Sequence, residues 1–154
     1  MKNIYLTVIF LFCTVAVGFG QVKHITINPA KTFQVIDNFA ASDAWSGNFV
    51  GKYWNDKEKK QISEWLFSTE YDETGSPKGI GLSLWRVNVG AGTFEQADAD
   101  IIPLQRRAES FLTVDGKGYD WGKCVGQQYF MEQAVNLGCN NFLLFSNSPL
   151  VQYT

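Results

Sequence analysis

Beyond its first twenty residues the chain alternates short apolar runs with amphipathic segments. In "HITINPAKTFQVIDNFAASDAW" Ile25 and Ile27 flank a polar position. This predicts a short strand, a turn at Asn28-Pro29, and a second strand through Val35 and Ile36. "NDKEKKQISEWLFS" carries Ile62, Trp65 and Leu66 at helical spacing, and Asn55 with Glu58 three residues on can cap that helix. "GIGLSLWRVNV" predicts a strand from Ile80 to Val89. The stretch from Gly90 to Tyr119 is irregular, with a short helix near Arg106 to Leu112; connections of that length inside a domain are usually functional. "DWGKCVGQQYFMEQAVNLGCN" predicts a helix capped by Asp120 and closed at Gly138, and "NFLLFSNSP" a third strand stopped by Pro149.

The order β, α, β, long loop, α, β, with each strand nearly continuous in apolar residues, argues for a parallel sheet covered by helices. A doubly wound sheet and a (β/α) barrel both fit it. The strand ends carry the chemistry. With period two, one face of the middle strand holds Ile80, Leu82, Leu84, Arg86 and Asn88, apolar first and polar at its C-terminal end. A barrel strand reads this way from inside, with packed layers below and functional groups at the mouth. Trp85, Val87 and Val89 would then face the helices. "GAG" after the strand permits a sharp turn close to a ligand. It is not a phosphate loop, since no Lys-Ser/Thr follows it and no helix starts there. The first strand ends in Ser42, Asp43 and Trp45, and the third in Ser146, Asn147 and Ser148. Hydrogen-bonding groups beside tryptophan suit the vicinal hydroxyls and apolar ring face of a sugar. Mutual pairing of Asp43 with Arg86 is an equally open use of those two charges.

Composition narrows the class. The twenty residues "MKNIYLTVIFLFCTVAVGFG" have a lysine near the start, an apolar run too short to span a bilayer, and small residues before Gln21. They read as a secretory signal peptide, residues 1–20, leaving residues 21–154, about 134 in all and one domain's worth. Phe12 before Cys13 argues against lipidation. Net charge is −2 with no basic run, which disfavours nucleic acid and anionic membranes as partners. Aromatic residues reach 15%, a content that exported sugar-binding proteins often show. Cys124 and Cys139 lie roughly 20 Å apart if one helix links them, beyond the reach of a disulfide, so both read as buried free thiols. No zinc-like spacing occurs, and no cofactor or metal is expected; His24 reads as structural.

"QVIDNFAASDAW", "LFS", "GIGLSLWRVNVGAGTFEQ", "RRAESFL", "YDW", "GQQYF" and "FSNSPLVQYT" occur in an order that resembles glycoside hydrolase family 30, most closely its endo-β-1,6-galactanase-like branch. The resemblance runs from about Gln34 to Thr154. It implies the N-terminal part, about three β/α units, of a (β/α)8 TIM barrel, with a side β-sandwich that takes the strand around His24 to Ile27. It implies retaining cleavage of β-linked glycans by an exported enzyme whose partner is a polysaccharide or oligosaccharide. By the same resemblance Arg86 lies in the catalytic pocket, Asp43 and Trp45 face substrate after the first strand, and Asn147 and Ser148 do so after the third; Asn88, on the same strand face as Arg86, would help it position charge and hydroxyls. The sequence departs from the family at Ala40, where glycine is usual, and at Leu150, where a second proline is usual.

The resemblance places the acid/base glutamate after a fourth strand and the nucleophile after a seventh, beyond Thr154. Glu95, Glu109 and Glu132 match neither. A barrel takes about 250 residues, so the chain reads as the N-terminal part of such an enzyme, inactive alone. The alternatives are a non-catalytic carbohydrate-binding protein and an inactive fragment. The exact glycan, endo or exo action and oligomeric state are not written in these residues.

Overall fold

The computed structural model describes residues 23–96 and 102–154. The expected signal segment, 1–20, lies outside the described residues. The chain divides into two units, 1–35 and 36–154. In the first, the described residues form a turn at Pro29-Ala30, where the Ala30 N–H donates to Asn28 Oδ1 at 3.0 Å. The strand expected at Ile25–Ile27 does not form, and both side chains are more than four-fifths exposed. Alternation makes a strand only where a neighbour accepts its ladder hydrogen bonds, and no described residue pairs with this one. The strand expected through Val35 and Ile36 is likewise absent.

The second unit holds three parallel strands in the order β1 (Ala40–Ser42), β2 (Leu84–Asn88), β3 (Asn141–Phe145). The small parallel α/β architecture is the one the element order implies. Ala40 pairs with Leu84 and Ser42 with Arg86, while Leu84 pairs with Asn141 and Asn88 with Phe145. β2 begins four residues later than expected, because Gly81 has a φ of +62° that ends any extended run. The residues before it instead finish a helix: the Ile80 and Leu82 N–H groups donate to the carbonyls of Trp65 and Leu66. These carbonyls belong to the last turn of a helix, which has no partners for them internally.

Three helices pack on or beside the sheet: α1 (Ser46–Tyr53), α2 (Asp56–Phe67) and α3 (Val125–Asn136). α2 starts as expected, with Asn55 Oδ1 accepting the Glu58 N–H at 3.0 Å. Its buried stripe is shifted by one residue, however. Ser63 and Phe67 are fully buried and Ile62 and Leu66 pack beside the core, whereas Trp65 is 57% exposed. The core comprises Phe67, Leu82, Trp85, Val87, Phe130, Ala134 and Cys139. Trp85 and Val87 thus do face the helices, and the Phe67 ring meets Trp85 edge-on at 5.2 Å. Cys124 and Cys139 are buried free thiols, as expected.

α1 is absent from the sequence expectation, for a physical reason. "SGNFVGKY" is rich in residues that disfavour helix interiors. Its helicity comes from packing: a Cβ on Gly51 would lie 2.3 Å from the Gly126 carbonyl oxygen, and one on Gly126 would lie 2.0 Å from that of Asn48. Two backbones therefore meet where no side chain fits.

α3 also starts differently from expectation. Asp120 does not cap it; its carboxylate accepts the Gly122 N–H at 2.9 Å in a local turn. The helix begins at Val125, after Cys124 in a left-handed conformation with φ 54°. Its leading N–H groups find partners from other parts of the chain. Cys124 N–H donates to Glu109 Oε2 at 2.8 Å, and Gly126 N–H to Asn48 Oδ1 at 3.1 Å. Gly138, with φ +94°, closes the helix as expected. The helix expected at Arg106–Leu112 is instead a 3-10 turn at Leu104–Arg106 followed by extended chain. Among the described residues no helix is long and apolar enough to cross a membrane.

Candidate functional site at the strand ends

The C-terminal ends of β1, β2 and β3 lie side by side, and two hydrogen bonds tie them just past the ladder. The Asp43 N–H donates to the Arg86 carbonyl at 3.0 Å, and the Val89 N–H to the Phe145 carbonyl at 2.7 Å. By strand parity Ser42, Arg86, Leu143 and Phe145 share the face opposite Trp85. Arg86 makes no ion pair with Asp43. Its guanidinium lies over the Phe145 ring, with Cζ 3.4 Å from the centroid. Among the described residues it has no hydrogen-bond acceptor, so its five N–H donors remain available.

Asp43 has one position more than Ser42 and points the other way, into the helix layer. It is buried and its carboxylate is occupied on both sides. Oδ1 accepts the Asn88 N–H at 3.2 Å, and Oδ2 accepts Gln127 Nε2 at 2.6 Å. Gln127 also donates to the Asn88 carbonyl at 2.9 Å. Burial pushes the Asp43 carboxyl up to about 6; the bonds from Gln127 and Asn88 and the Arg86 charge offset part of that rise. The side chain of Asn88 is buried too, and its Oδ1 has no donor among the described residues. Beside Asp43 a mainly apolar groove of about 170 Å³ runs between α1, α2 and the sheet, lined by Val50, Ile62, Leu66, Trp85 and Phe130.

The other expected residues sit around this centre. Trp45 immediately precedes α1, 38% exposed, with the Arg106 guanidinium 4.9 Å from its ring centroid. Ala44 before it adopts φ 48°, uncommon for a residue with a Cβ. Asn147 and Ser148 are exposed in a bend after β3, where the Ser148 carbonyl accepts from Ser146 Oγ at 2.8 Å. The structure thus brings Arg86 and Asn88 together, sets Asp43 behind them and puts Trp45, Asn147 and Ser148 on neighbouring strand ends. Two participants were not expected: Phe145, the platform under Arg86, and Gln127, the partner of Asp43. Phe145 was legible in principle, since it occupies the C-terminal end of an apolar strand.

The nearby acids are committed elsewhere. Glu109 accepts from Lys52 Nζ at 2.6 Å, Asn48 Nδ2 at 2.9 Å and the Cys124 N–H. Burial alone would raise its carboxyl, but these donors together hold it below the usual carboxylate range. Glu95 Oε1 binds Lys123 Nζ at 2.8 Å. Burial, then the Glu109 and Glu95 charges, push the Cys124 thiol up to about 12, so it is not a nucleophile. No cluster of three or more metal-ligating side chains occurs among the described residues.

A parallel sheet backed by helices, with arginine and asparagine at adjoining strand ends, defines an α/β scaffold with a polar site at its C-terminal edge. The family model for O-glycosyl hydrolase family 30 matches residues 22–154, and the chain belongs to that family. Among solved structures it is similar to a conserved exported protein from Bacteroides fragilis, with 47% identity and a TM-score of 0.73, over 80% of this chain and 25% of that one. It shares its fold with the catalytic domain of GH30 xylanase C from Talaromyces cellulolyticus, with 23% identity and a TM-score of 0.50, over the same two fractions. The chain therefore spans about a quarter of the length of each of these structures. A comparison with curated proteins finds no match.

Proposed function

We propose that this chain forms the first three β/α units, within residues 21–154, of a secreted retaining glycoside hydrolase whose (β/α)8 barrel is completed by further sequence. The similarity to an exported protein supports export, for which residues 1–20 serve as signal peptide. The reaction is double displacement at a β-glycosidic bond, which needs two carboxyl groups about 5–5.5 Å apart. Glu95 and Glu109 are each held by a lysine, and Asp43 is saturated by Asn88 and Gln127. By the family resemblance the acid and the nucleophile come from strands beyond these three. An endo-β-1,6-galactanase-like specificity follows from the motif order.

The observation that carries this reading is Arg86, a guanidinium seated on Phe145 at a strand end with its donors unspent. A carboxylate nucleophile placed beside it stays ionised. Asp43 positions Asn88 from behind. Trp45, Asn147 and Ser148 border the substrate.

In the full-length polypeptide, Arg86→Ala should lower kcat on β-1,6-galactan by about a hundredfold while changing KM far less. Near-normal turnover removes the role given to Arg86. Assays on β-1,6-galactan, β-1,6-glucan and β-1,4-xylan decide the branch. Cleavage of xylan alone overturns the galactanase assignment, and inversion at the anomeric centre overturns the mechanism.

A further inference from the structure

β1 ends at Ser42, yet its pairing with β2 continues one residue further by other means. In a parallel ladder a residue donates to one residue of the facing strand and accepts from another. Asp43 donates its N–H to the Arg86 carbonyl at 3.0 Å, as a further strand residue would. Its carbonyl turns instead to α1 and accepts the Gly47 N–H at 3.1 Å. The carboxylate takes over the vacated ladder position, with Oδ1 accepting the Asn88 N–H at 3.2 Å. Gly47 leaves room for this, since a Cβ there would lie 2.7 Å from the Asp43 Cβ.

Gln127, in the first turn of α3, closes the arrangement. Its Nε2 donates both hydrogens, to Asp43 Oδ2 at 2.6 Å and to the Asn88 carbonyl at 2.9 Å. The amide can sit only one way round, because its own oxygen in that place would face two acceptors. Asn88 is thereby held at both its N–H and its carbonyl. The next N–H, that of Val89, donates to the Phe145 carbonyl at 2.7 Å, and the Phe145 ring carries the Arg86 guanidinium at 3.4 Å. A continuous set of contacts thus runs from α3 through Asp43 and Asn88 to Arg86. Asp43, Asn88 and Gln127 are 6%, 4% and 5% exposed, already covered by this chain's own residues. The faces that α1, α2 and α3 turn toward Asp43 carry no charge among the described residues, and Arg86 of β2 is the charged group that acts on it. Burial raises the Asp43 carboxyl, and the bond from Gln127 is the largest influence that lowers it.

We propose that Gln127 is a positioning residue, which through Asp43 and Asn88 sets where Arg86 is presented. This inference rests on the glycoside hydrolase reading and deepens it. The test compares the full-length parent with Gln127→Leu and Gln127→Glu. Leucine removes both donors. A carboxyl of the amide's shape can share a proton with Asp43, but repels it once both are ionised. Each protein is assayed on whichever of β-1,6-galactan, β-1,6-glucan and β-1,4-xylan the parent cleaves. Gln127→Leu should lower kcat about tenfold, with KM changing far less. The kcat of Gln127→Glu relative to the parent should fall about tenfold between about pH 6 and about pH 9. The Asp43 carboxyl resonance, followed by carbon NMR without substrate, should titrate at higher pH in Gln127→Leu than in the parent, because a donor that favours the ionised form is gone. Parent-like kcat in both variants overturns the positioning role and leaves the hydrolase intact. So does a loss in Gln127→Glu that is the same at every pH and follows a lowered thermal midpoint, which is the mark of a residue that only holds the fold. An unmoved titration overturns the contact with Asp43 itself. A parent that cleaves none of the three glycans removes the hydrolase reading and the positioning role with it, even where the titration moves.

Discussion

Trp85 and Val87 point from β2 into a closed core, while Leu84 and Arg86 alternate with them on a face where Leu143, in the neighbouring strand, is half exposed. One strand thus serves two purposes at once. The helix-covered face is packed by Phe67, Phe130 and Ala134 and stabilises the fold. The other face carries Leu84 and Phe145, with Arg86 seated on the latter and its N–H donors without an acceptor among the described residues. The difference shows how a period of two separates a packed face from a polar one without any change of element. Side chains on the first face should resist truncation badly, and Arg86 on the second should tolerate it.

The strongest way to break this contrast is Trp85→Ala. Loss of a buried aromatic should cost about 3–5 kcal/mol, read from urea unfolding, whereas Arg86→Ala should stay within about 1 kcal/mol of the parent. Equal losses at both positions would erase the distinction. Next comes the closest approach in the helix layer. Gly126→Ala puts a methyl 2.0 Å from the Asn48 carbonyl oxygen and should cost about 3 kcal/mol, with the midpoint of thermal unfolding as its measure. An unchanged midpoint would show that α1 and α3 can separate freely.

The smallest effect concerns Asp43, which belongs to the helix layer although its neighbours in sequence belong to the site. Its carboxyl is raised from 3.8 to about 6, so the folded state holds the proton more tightly than the unfolded chain does. Its contribution to stability is therefore greatest below pH 3.8 and declines as pH rises toward 6. Glu109 behaves oppositely, stabilising above the usual carboxylate range and ceasing to do so as pH falls through its lowered value. Asp43→Asn removes the declining component. Stability should then climb more steeply from pH 4 to 6 than in the parent, by on the order of 2 kcal/mol over the interval. Parallel pH profiles for the two proteins would show that Asp43 does not carry that proton.

Much of the architecture was legible in the residues, because local rules decided it. Asn55 and Glu58 specify the start of α2, Gly138 the end of α3, and the apolar runs of β2 and β3 a parallel sheet. What stayed hidden depends on partners far along the chain. α1 forms because Gly51 fits against Gly126, a contact that propensity scales cannot see. α3 begins where Glu109 and Asn48 supply acceptors, not where the nearer Asp120 could have done so. At the site, Arg86 and Asn88 were visible from alternation alone. The direction of Asp43 was not, since Gln127, which holds it, lies 84 residues away.

Glu109 sits midway along the connection from β2 to α3 and grips both helices that flank the loop's end, through Lys52 and Asn48 on α1 and Cys124 at the start of α3. It works as a rivet: the chain downstream, from Phe111 to Asp120, folds back in a hairpin from a fixed mount, with Leu112 and Tyr119 paired antiparallel. Exchanging the turn at its far end, residues 114–117, for one of another length should leave the sheet undisturbed. The scaffold can therefore vary its surface there without relearning how to fold.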